Sequence, residues 1–244
     1  MRFNLYLLIL FILFLTSSLF LKADEPESLP ELIFTTSNNP PYVYKNNKGE
    51  LIGSLVDKLK KIMTPTTLKY SIKIEPWKRS LVNVQKNETH LIFPLSRTEA
   101  REKSYSWIIP LHVLKFKIYG FKGTFDPKNV DITSGKYTFV CPERTILCSS
   151  IRKAGVPESS IVAVHHIEHE QMINMVFYRR VDFLLISDNG LGYYLKSMGL
   201  DQDKLAVVEN YEFKKIEYLA GKPDFNPAII DEIRSSFNTL NVDQ

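Results

Sequence analysis

The chain has 244 residues, enough for one large domain or two small ones. Its 44% hydrophobic and 24% charged residues exclude a disordered chain and a repeat array. The net charge of +4 is small, and Lys and Arg are scattered among Asp and Glu without a long basic run, so no nucleic acid partner is expected.

The first stretch departs from this average. Met1-Arg2 supplies a positive start, Leu5 to Leu21 is almost wholly apolar, and Ala23 follows. Residues 1–23 therefore read as a secretory signal peptide cleaved near Ala23-Asp24. An uncleaved membrane anchor is the competing reading, because the run approaches the roughly 20 residues of a spanning helix. Export makes a disulfide the expected state of the two cysteines, Cys141 and Cys148, with a pair of reduced buried thiols as the alternative.

Residues 24–31 are polar and contain proline, as a linker would. Leu32 to Thr35 predicts a first strand, ended by the rigid Asn38-Asn39-Pro40-Pro41 loop. A helix follows: Ser54 precedes Asp57 at capping-box spacing, Leu55, Leu59 and Ile62 share a face, and Pro65 stops it. Tyr70, Ile72 and Ile74 alternate with polar residues as a strand, Leu81 and Val84 suit a short helix, and His90 to Phe93 reads as a buried strand. This β-α-β-α-β order implies a mostly parallel sheet flanked by helices. In such sheets ligands sit beyond the carboxyl ends of the strands, where Asn39-Pro40-Pro41-Tyr42, Pro76-Trp77 and Pro94-Leu95-Ser96-Arg97 fall.

The second half repeats the theme. Strands are predicted at Tyr137 to Val140, Ile161 to Val164, Asp182 to Ile186, Leu205 to Val208 and Ile216 to Ala220. Helices are predicted up to Ala154, from Glu170 to Arg180 with Met172, Val176 and Arg179 on one side, and around Leu191, Leu195 and Met198. The last helix has Asn226 as its cap, Pro227 in its first turn, and Ile230, Ile233 and Phe237 on its face. Two α/β halves of similar size suggest two lobes with a cleft between them, although a single doubly wound domain satisfies the same periodicity.

Several segments carry a resemblance. They are Pro40-Pro41-Tyr42, Leu51-Ile52-Gly53 before a helix with Asp57, Glu75-Pro76-Trp77-Lys78-Arg79, the run Ile92 to Lys103, and Tyr218-Leu219-Ala220-Gly221-Lys222-Pro223. In this order they resemble the family 3 extracellular solute-binding proteins, the polar amino acid receptors of ABC importers. The resemblance covers nearly the whole mature chain, and Ser96 to Lys103 is its most specific part. It implies an α/β type II periplasmic-binding-protein fold: two lobes, each a mostly parallel sheet flanked by helices, joined by two crossing strands and closing by hinge motion on a ligand in the cleft. Residues 32–112 and 206–244 would form lobe one and residues 113–205 lobe two, with crossings near Val113 to Lys117 and Lys204 to Val208.

Site residues follow from the same resemblance. Arg101, five residues after Ser96, is expected to grip a ligand carboxylate through its planar fork; the plain alternative is a surface Arg in a charged helix start. Ser96 and Thr98 would add hydroxyls and helix-start amides, or simply cap the helix. Arg97 faces either the cleft or solvent. Trp77 and Tyr42 match positions that wall the ligand, with core packing as the alternative. In lobe two, Arg144 and Thr145 begin the helix that contacts ligand, on a loop the disulfide would stiffen. Asp188 falls near the acid that holds a ligand ammonium, but one residue further from Asp182 than expected, so Ser187 competes for the position. If no acid faces the cleft, the ligand is not an amino acid.

His165-His166-Ile167-Glu168-His169 invites a metal reading, because His165 and His169 stand one helical turn apart, but Glu168 is misplaced for the H-E-x-x-H motif and a solvated loop is the commoner explanation. No metal and no cofactor are expected. The expected role is a monomeric periplasmic protein that captures an amino acid or related carboxylate for an ABC permease in the inner membrane. The alternatives are a ligand-sensing or regulatory binding protein without transport, and a periplasmic dehydratase-like enzyme. An enzyme needs a positioned acid or base, and Glu143, Asp188 and the histidines form no recognisable catalytic set.

Overall fold

A computed structural model describes residues 30–143, 145–164 and 169–242. The signal segment, Arg144 and the stretch His165 to Glu168 lie outside the described residues.

Strand β1 (Leu32–Thr36) pairs in parallel with β4 (Tyr70–Ile74) on one side and β5 (His90–Ser96) on the other. Helices α1 (Ser54–Met63) and α2 (Trp77–Lys86) make the crossovers. Leu55, Val56, Leu59, Ile62 and Met63 form the buried stripe of α1, each worth roughly 1.5–3 kcal/mol on burial. The expected capping box is not formed. Ser54 is the first helical residue, Gly53 is the cap, and no side chain caps the helix. Instead the amides of Ser54 and Leu55 donate to the carbonyls of Pro41 and Tyr42, at 3.3 and 3.1 Å. The Pro40–Tyr42 loop thus lies directly on the start of α1, behind a small hairpin of β2 (Tyr44–Lys45) and β3 (Leu51–Ile52). Only glycine permits this approach: Gly53 has φ 131°, and a Cβ there would sit 2.2 Å from the Tyr42 carbonyl oxygen.

A buried polar cluster fastens α2 to β1. Glu75 accepts from the Thr35 hydroxyl and from Asn83 Nδ2 at 2.9 and 3.1 Å, and Ser80 Oγ lies 2.9 Å from Thr35 Oγ1. This fixes the Glu75-Pro76-Trp77 turn at the carboxyl end of β4.

Two long strands then tie the molecule together. β6 (Ser106–Phe121) and β10 (Leu205–Gly221) run antiparallel along most of their length. The two short strands expected at Leu205 to Val208 and Ile216 to Ala220 are therefore one. The polar stretch between them stays in the ladder at its C-terminal end, with Glu212 to Ile216 opposite Val113 to Lys117. The ladder thus continues past Val208 as far as Gly221. Ladder hydrogen bonds need no apolar side chains, which is why hydropathy hid the join. The register slips between Val207 and Glu212, where Asn210 takes φ 69°, a conformation asparagine tolerates.

Beyond the ribbon, β9 (Phe183–Ile186) pairs antiparallel with β6 and parallel with β7 (Phe139–Pro142), which pairs in parallel with β8 (Ile161–Val164). The strand order is β4-β1-β5-β10-β6-β9-β7-β8. Around it pack α3 (Ile146–Lys153), α4 (His169–Phe177) and α5 (Asp188–Met198). The helix expected to reach Arg180 stops at Phe177, because Arg179 turns left-handed at φ 55° and the Arg180 amide reaches back to the Met175 carbonyl at 2.8 Å. Helix α6 (Pro227–Val242) returns to the first half, with Asn226 Oδ1 accepting from the Ala228 amide at 2.9 Å and Ile229, Ile230 and Ile233 buried.

The apolar cores divide in the same way. One gathers Phe34, Phe93, Leu59, Ile109, Leu219 and Ile233, with a satellite around Val84 and Leu95. The others gather Phe116, Phe139 and Phe183, and on the opposite face Leu184, Met172 and Leu195. Val208, Tyr211 and Phe213 pack with Phe116, in the second half. Cys141 and Cys148 form a disulfide from the end of β7 to α3, as expected. Among the described residues no helix is long and apolar enough to cross a membrane.

Gly53→Ala is expected to destabilise the protein by about 2–4 kcal/mol through backbone strain and the Tyr42 clash, measured by urea denaturation. Replacing both Cys141 and Cys148 by serine is expected to lower stability by about 2–3 kcal/mol, because the bridged residues are separated by 7 positions and the closed loop is short. A melting temperature unchanged by reduction would contradict this.

Candidate functional site

Strand β5 ends at Ser96, and its neighbours in the sheet bring polar residues to the same place. Glu217 on β10 is the Cα partner both of Ser96 on β5 and of His112 on β6. Residues directly opposite on paired strands project to the same face, so Ser96, Glu217 and His112 form a row across three strands. The Ser96 hydroxyl donates to Glu217 Oε1 at 3.3 Å. Glu217 is only 6% exposed, yet among the described residues its Oε2 has no hydrogen-bond partner, and neither has His112 Nε2. Burial pushes the Glu217 carboxyl up to about 7, against the opposing hydrogen bond from Ser96. Burial pulls the His112 imidazole down, and the nearby Lys58 charge adds to this.

Arg101 reaches the backbone of Ser96 from the short 3₁₀ helix Glu99–Ser104. Its Nη1 donates to the Ser96 carbonyl at 3.2 Å, and among the described residues it forms no ion pair. Burial pulls its guanidinium below the ordinary value. A guanidinium carries five donors, so one carbonyl leaves most of its fork unused. Thr98 is the cap residue of the same helix; its carbonyl accepts from the Arg101 amide at 2.9 Å, and its side chain makes no capping bond.

Tyr42 covers the row from the Pro40–Tyr42 loop. Its ring lies 4.8 Å from the His112 ring, and its hydroxyl donates to Ser187 Oγ at 3.2 Å, in the second half of the molecule. Ser187 caps α5 by accepting from the Gly190 amide at 3.1 Å. Tyr44 and Tyr193 make a second contact between the halves, with ring centroids 5.3 Å apart.

The remaining expected residues lie elsewhere. Arg97 follows the end of β5 and turns away from Ser96, stacking on Trp107 and Tyr218 at 5.5 and 5.4 Å and pairing with Glu102. Trp77 is partly buried and packs with Leu81, Tyr105 and Trp107 over Val84, Ile92 and Leu95. Thr145 caps α3 and donates to the Pro142 carbonyl at 2.7 Å. Arg144 lies outside the described residues, as does His165. His169 stacks on Tyr194 at 4.9 Å, and no group able to hold a metal occurs among the described residues. The Asp188 carboxylate is bound by Lys117 Nζ at 2.8 Å and by the Tyr119 hydroxyl. Burial raises its pKa, but these two donors outweigh burial and hold it below the ordinary value. Lys117 and Tyr119 alternate with His112 along β6, so Asp188 is held on the opposite face of that strand.

Glu217 and His112 were not expected. One signal was available for Glu217: it is a single acid in the otherwise apolar run Ile216 to Ala220. His112 carried none, because only the β6–β10 register brings it beside Glu217. Two shallow surface concavities of about 500 and 610 Å³ lie around Glu209–Tyr211 and around Leu51 and Tyr70, and neither includes this row.

Comparison with known proteins agrees with this architecture. Similar solved structures include holo ArgBP from T. maritima, with 16% identity, TM-score 0.70, and 86% of this chain covering 90% of that one. The arginine-, lysine-, histidine-binding protein ArtJ from Geobacillus stearothermophilus has 17% identity and TM-score 0.72, with 87% of this chain covering 90% of that one. A histidine kinase sensor domain with similarity to periplasmic binding proteins has 11% identity and TM-score 0.74, with 86% of this chain covering 90% of that one. Identities this low establish the shared two-lobed α/β fold and no more. No curated protein matches the sequence. The profile of the bacterial extracellular solute-binding proteins, family 3, matches residues 32–215, and the chain belongs to that family.

Proposed function

We propose that the protein captures a small amino acid or related carboxylate in the periplasm and delivers it to an ABC permease, acting as a monomer. The observation that carries this reading is Arg101: a half-buried guanidinium with no acid partner among the described residues, bound only to the Ser96 carbonyl. A buried charge without a partner is costly, and a ligand carboxylate relieves that cost with two parallel hydrogen bonds. Family membership and the arginine-binding neighbours support binding over catalysis.

The lobe division is part of the proposal. Residues 32–112, the C-terminal part of β10 and α6 form one lobe; residues 113–205 and the N-terminal part of β10 form the other. Ligand docks first on Arg101 and Ser96, and contacts from the α3 and α5 starts then favour closure, because they exist only when the lobes meet. Of the originally expected contacts, Thr98 and Thr145 remain near helix starts with hydroxyls that can reorient.

A second reading has one supporting observation. The similarity to a histidine kinase sensor domain fits a ligand-sensing role without transport, which would use the same Arg101 clamp.

Thermal-shift titration of the purified protein with amino acids, polyamines, small carboxylates and prephenate is expected to give a concentration-dependent rise for an amino acid. Arg101→Ala is expected to weaken that ligand by at least about 30-fold, checked by calorimetry. Equal affinity in wild type and variant would remove the clamp.

A further inference from the structure

Glu217 and His112 are Cα partners in the β6–β10 ladder, so their side chains leave one face with Cβ atoms roughly 4.5–5.5 Å apart. As carboxylate and imidazolium they would make an ion pair, with His112 Nε2–H donating to Glu217 Oε2. Among the described residues neither atom has a partner, so that pair is not made. A buried polar atom without a partner costs far less neutral than charged. The pair therefore rests as a protonated acid beside a neutral imidazole. Burial drives both groups that way, pushing Glu217 up to about 7 and pulling His112 down. Their surroundings are few. From β5 the Ser96 hydroxyl donates to Glu217, while Arg101 is engaged with the Ser96 carbonyl. From α1 the Lys58 charge opposes a charge on His112. The Tyr42 ring lies against His112, and the Lys117–Asp188 pair is on the opposite face of β6.

This pair is also the last covered rung before the bare ribbon. The next rung, Val113 with Ile216, is 49% and 46% exposed, against 6% for Glu217. Tyr42, against His112, is tied through its hydroxyl to Ser187 in the other half. Parting the halves breaks that tie and bends the ladder beside the pair, which admits water to it. In water a carboxylate and an imidazolium are the favoured forms between roughly pH 4.5 and 6.5.

We propose that closing the two halves moves one proton, on balance, from the His112 imidazolium to the Glu217 carboxylate, so that closure neither takes up nor releases protons in mildly acidic surroundings. One N–H bond breaks, one O–H bond forms, and both charges vanish as the pair is buried. The inference rests on the reading of the halves as lobes that close, and on no particular ligand. Its consequence is regulatory: capture proceeds alike as the medium acidifies, where a lone buried acid or a lone buried histidine would tie closure to pH.

The two groups act with opposite sign, which makes the proposal testable. Glu217 binds its proton more tightly in the closed arrangement, so alone it favours closure at low pH and loses that advantage as pH rises toward about 7. His112 binds its proton less tightly there, so alone it favours closure at high pH and loses that advantage as pH falls below the ordinary imidazole value. Pulsed EPR between spin labels at Lys60→Cys on α1 and Lys196→Cys on α5, both exposed, reads the closed-to-open ratio. From about pH 5 to about pH 6.5 the protein with Glu217 and His112 intact is expected to hold its ratio within about threefold. Over the same range His112→Asn is expected to lower the ratio at least about fivefold as pH rises, and Glu217→Gln to raise it by a similar factor. The inference is overturned if both variants keep the parent profile, or if their slopes share one sign. NMR of the wild type at about pH 6 is expected to show a neutral His112 ring in the closed species, and an imidazolium there overturns the inference even if a variant folds poorly. A label distance that answers neither to pH nor to the amino acid and carboxylate panel overturns the lobe-closure reading as well. A distance that answers to the panel while both variants keep the parent profile overturns this inference alone.

Discussion

The β6–β10 ribbon is the constraint on which the rest of the structure depends. Both halves of the molecule hydrogen-bond to it, one through β5 and the other through β9. Where it passes between them it has no third strand on either side, and Val113 and Ile216, paired across it, remain 49% and 46% exposed. A two-stranded segment twists and bends more easily than a sheet interior, so this is where relative motion of the halves meets least resistance. At its edge toward β5, the same ribbon fixes the register that puts Ser96, Glu217 and His112 in one row. The bare two-stranded stretch and the Glu217–His112 pair are therefore two parts of the same ribbon.

The charges sort into two populations. Arg97 with Glu102, Arg152 with Glu158 and Lys117 with Asp188 are paired and substantially exposed, and such pairs contribute little to stability. Arg101 and Glu217 are the opposite case: the first half-buried, the second buried, and each lacking a charged partner among the described residues. A folded protein tolerates such an arrangement at a cost in stability, and the cost concentrates where a ligand of complementary charge would relieve it.

Much of the first half was legible in the sequence because its elements have local signals. The alternation of Tyr70, Ile72 and Ile74, the stripe of Leu55, Leu59 and Ile62, and the Asn226-Pro227 start of the last helix each depend on residues a few positions apart. Arg101 and Ser96 were legible through a family motif. The failures share the opposite property. The capping of α1 by Pro41 and Tyr42 carbonyls, the continuity of β10 across its charged middle, and the meeting of His112 with Glu217 all depend on backbone groups brought together over long sequence distances. Asp188 illustrates the same limit: its position along the chain fits a ligand contact, but its direction is decided by Lys117 and Tyr119, about seventy residues away.

The hydrogen bond from Tyr42 to Ser187 joins the two halves without involving any ligand atom. Such a bond adds the same increment to the joined arrangement whichever molecule lies beneath it. It raises the affinity for every ligand by one common factor and leaves their ranking untouched. By the same reasoning it lengthens the residence time of all of them, since the halves must part before anything leaves. On the proposed ligand-capture reading, the Tyr42–Ser187 bond would therefore act as a latch that sets how long cargo is held and not which cargo is chosen.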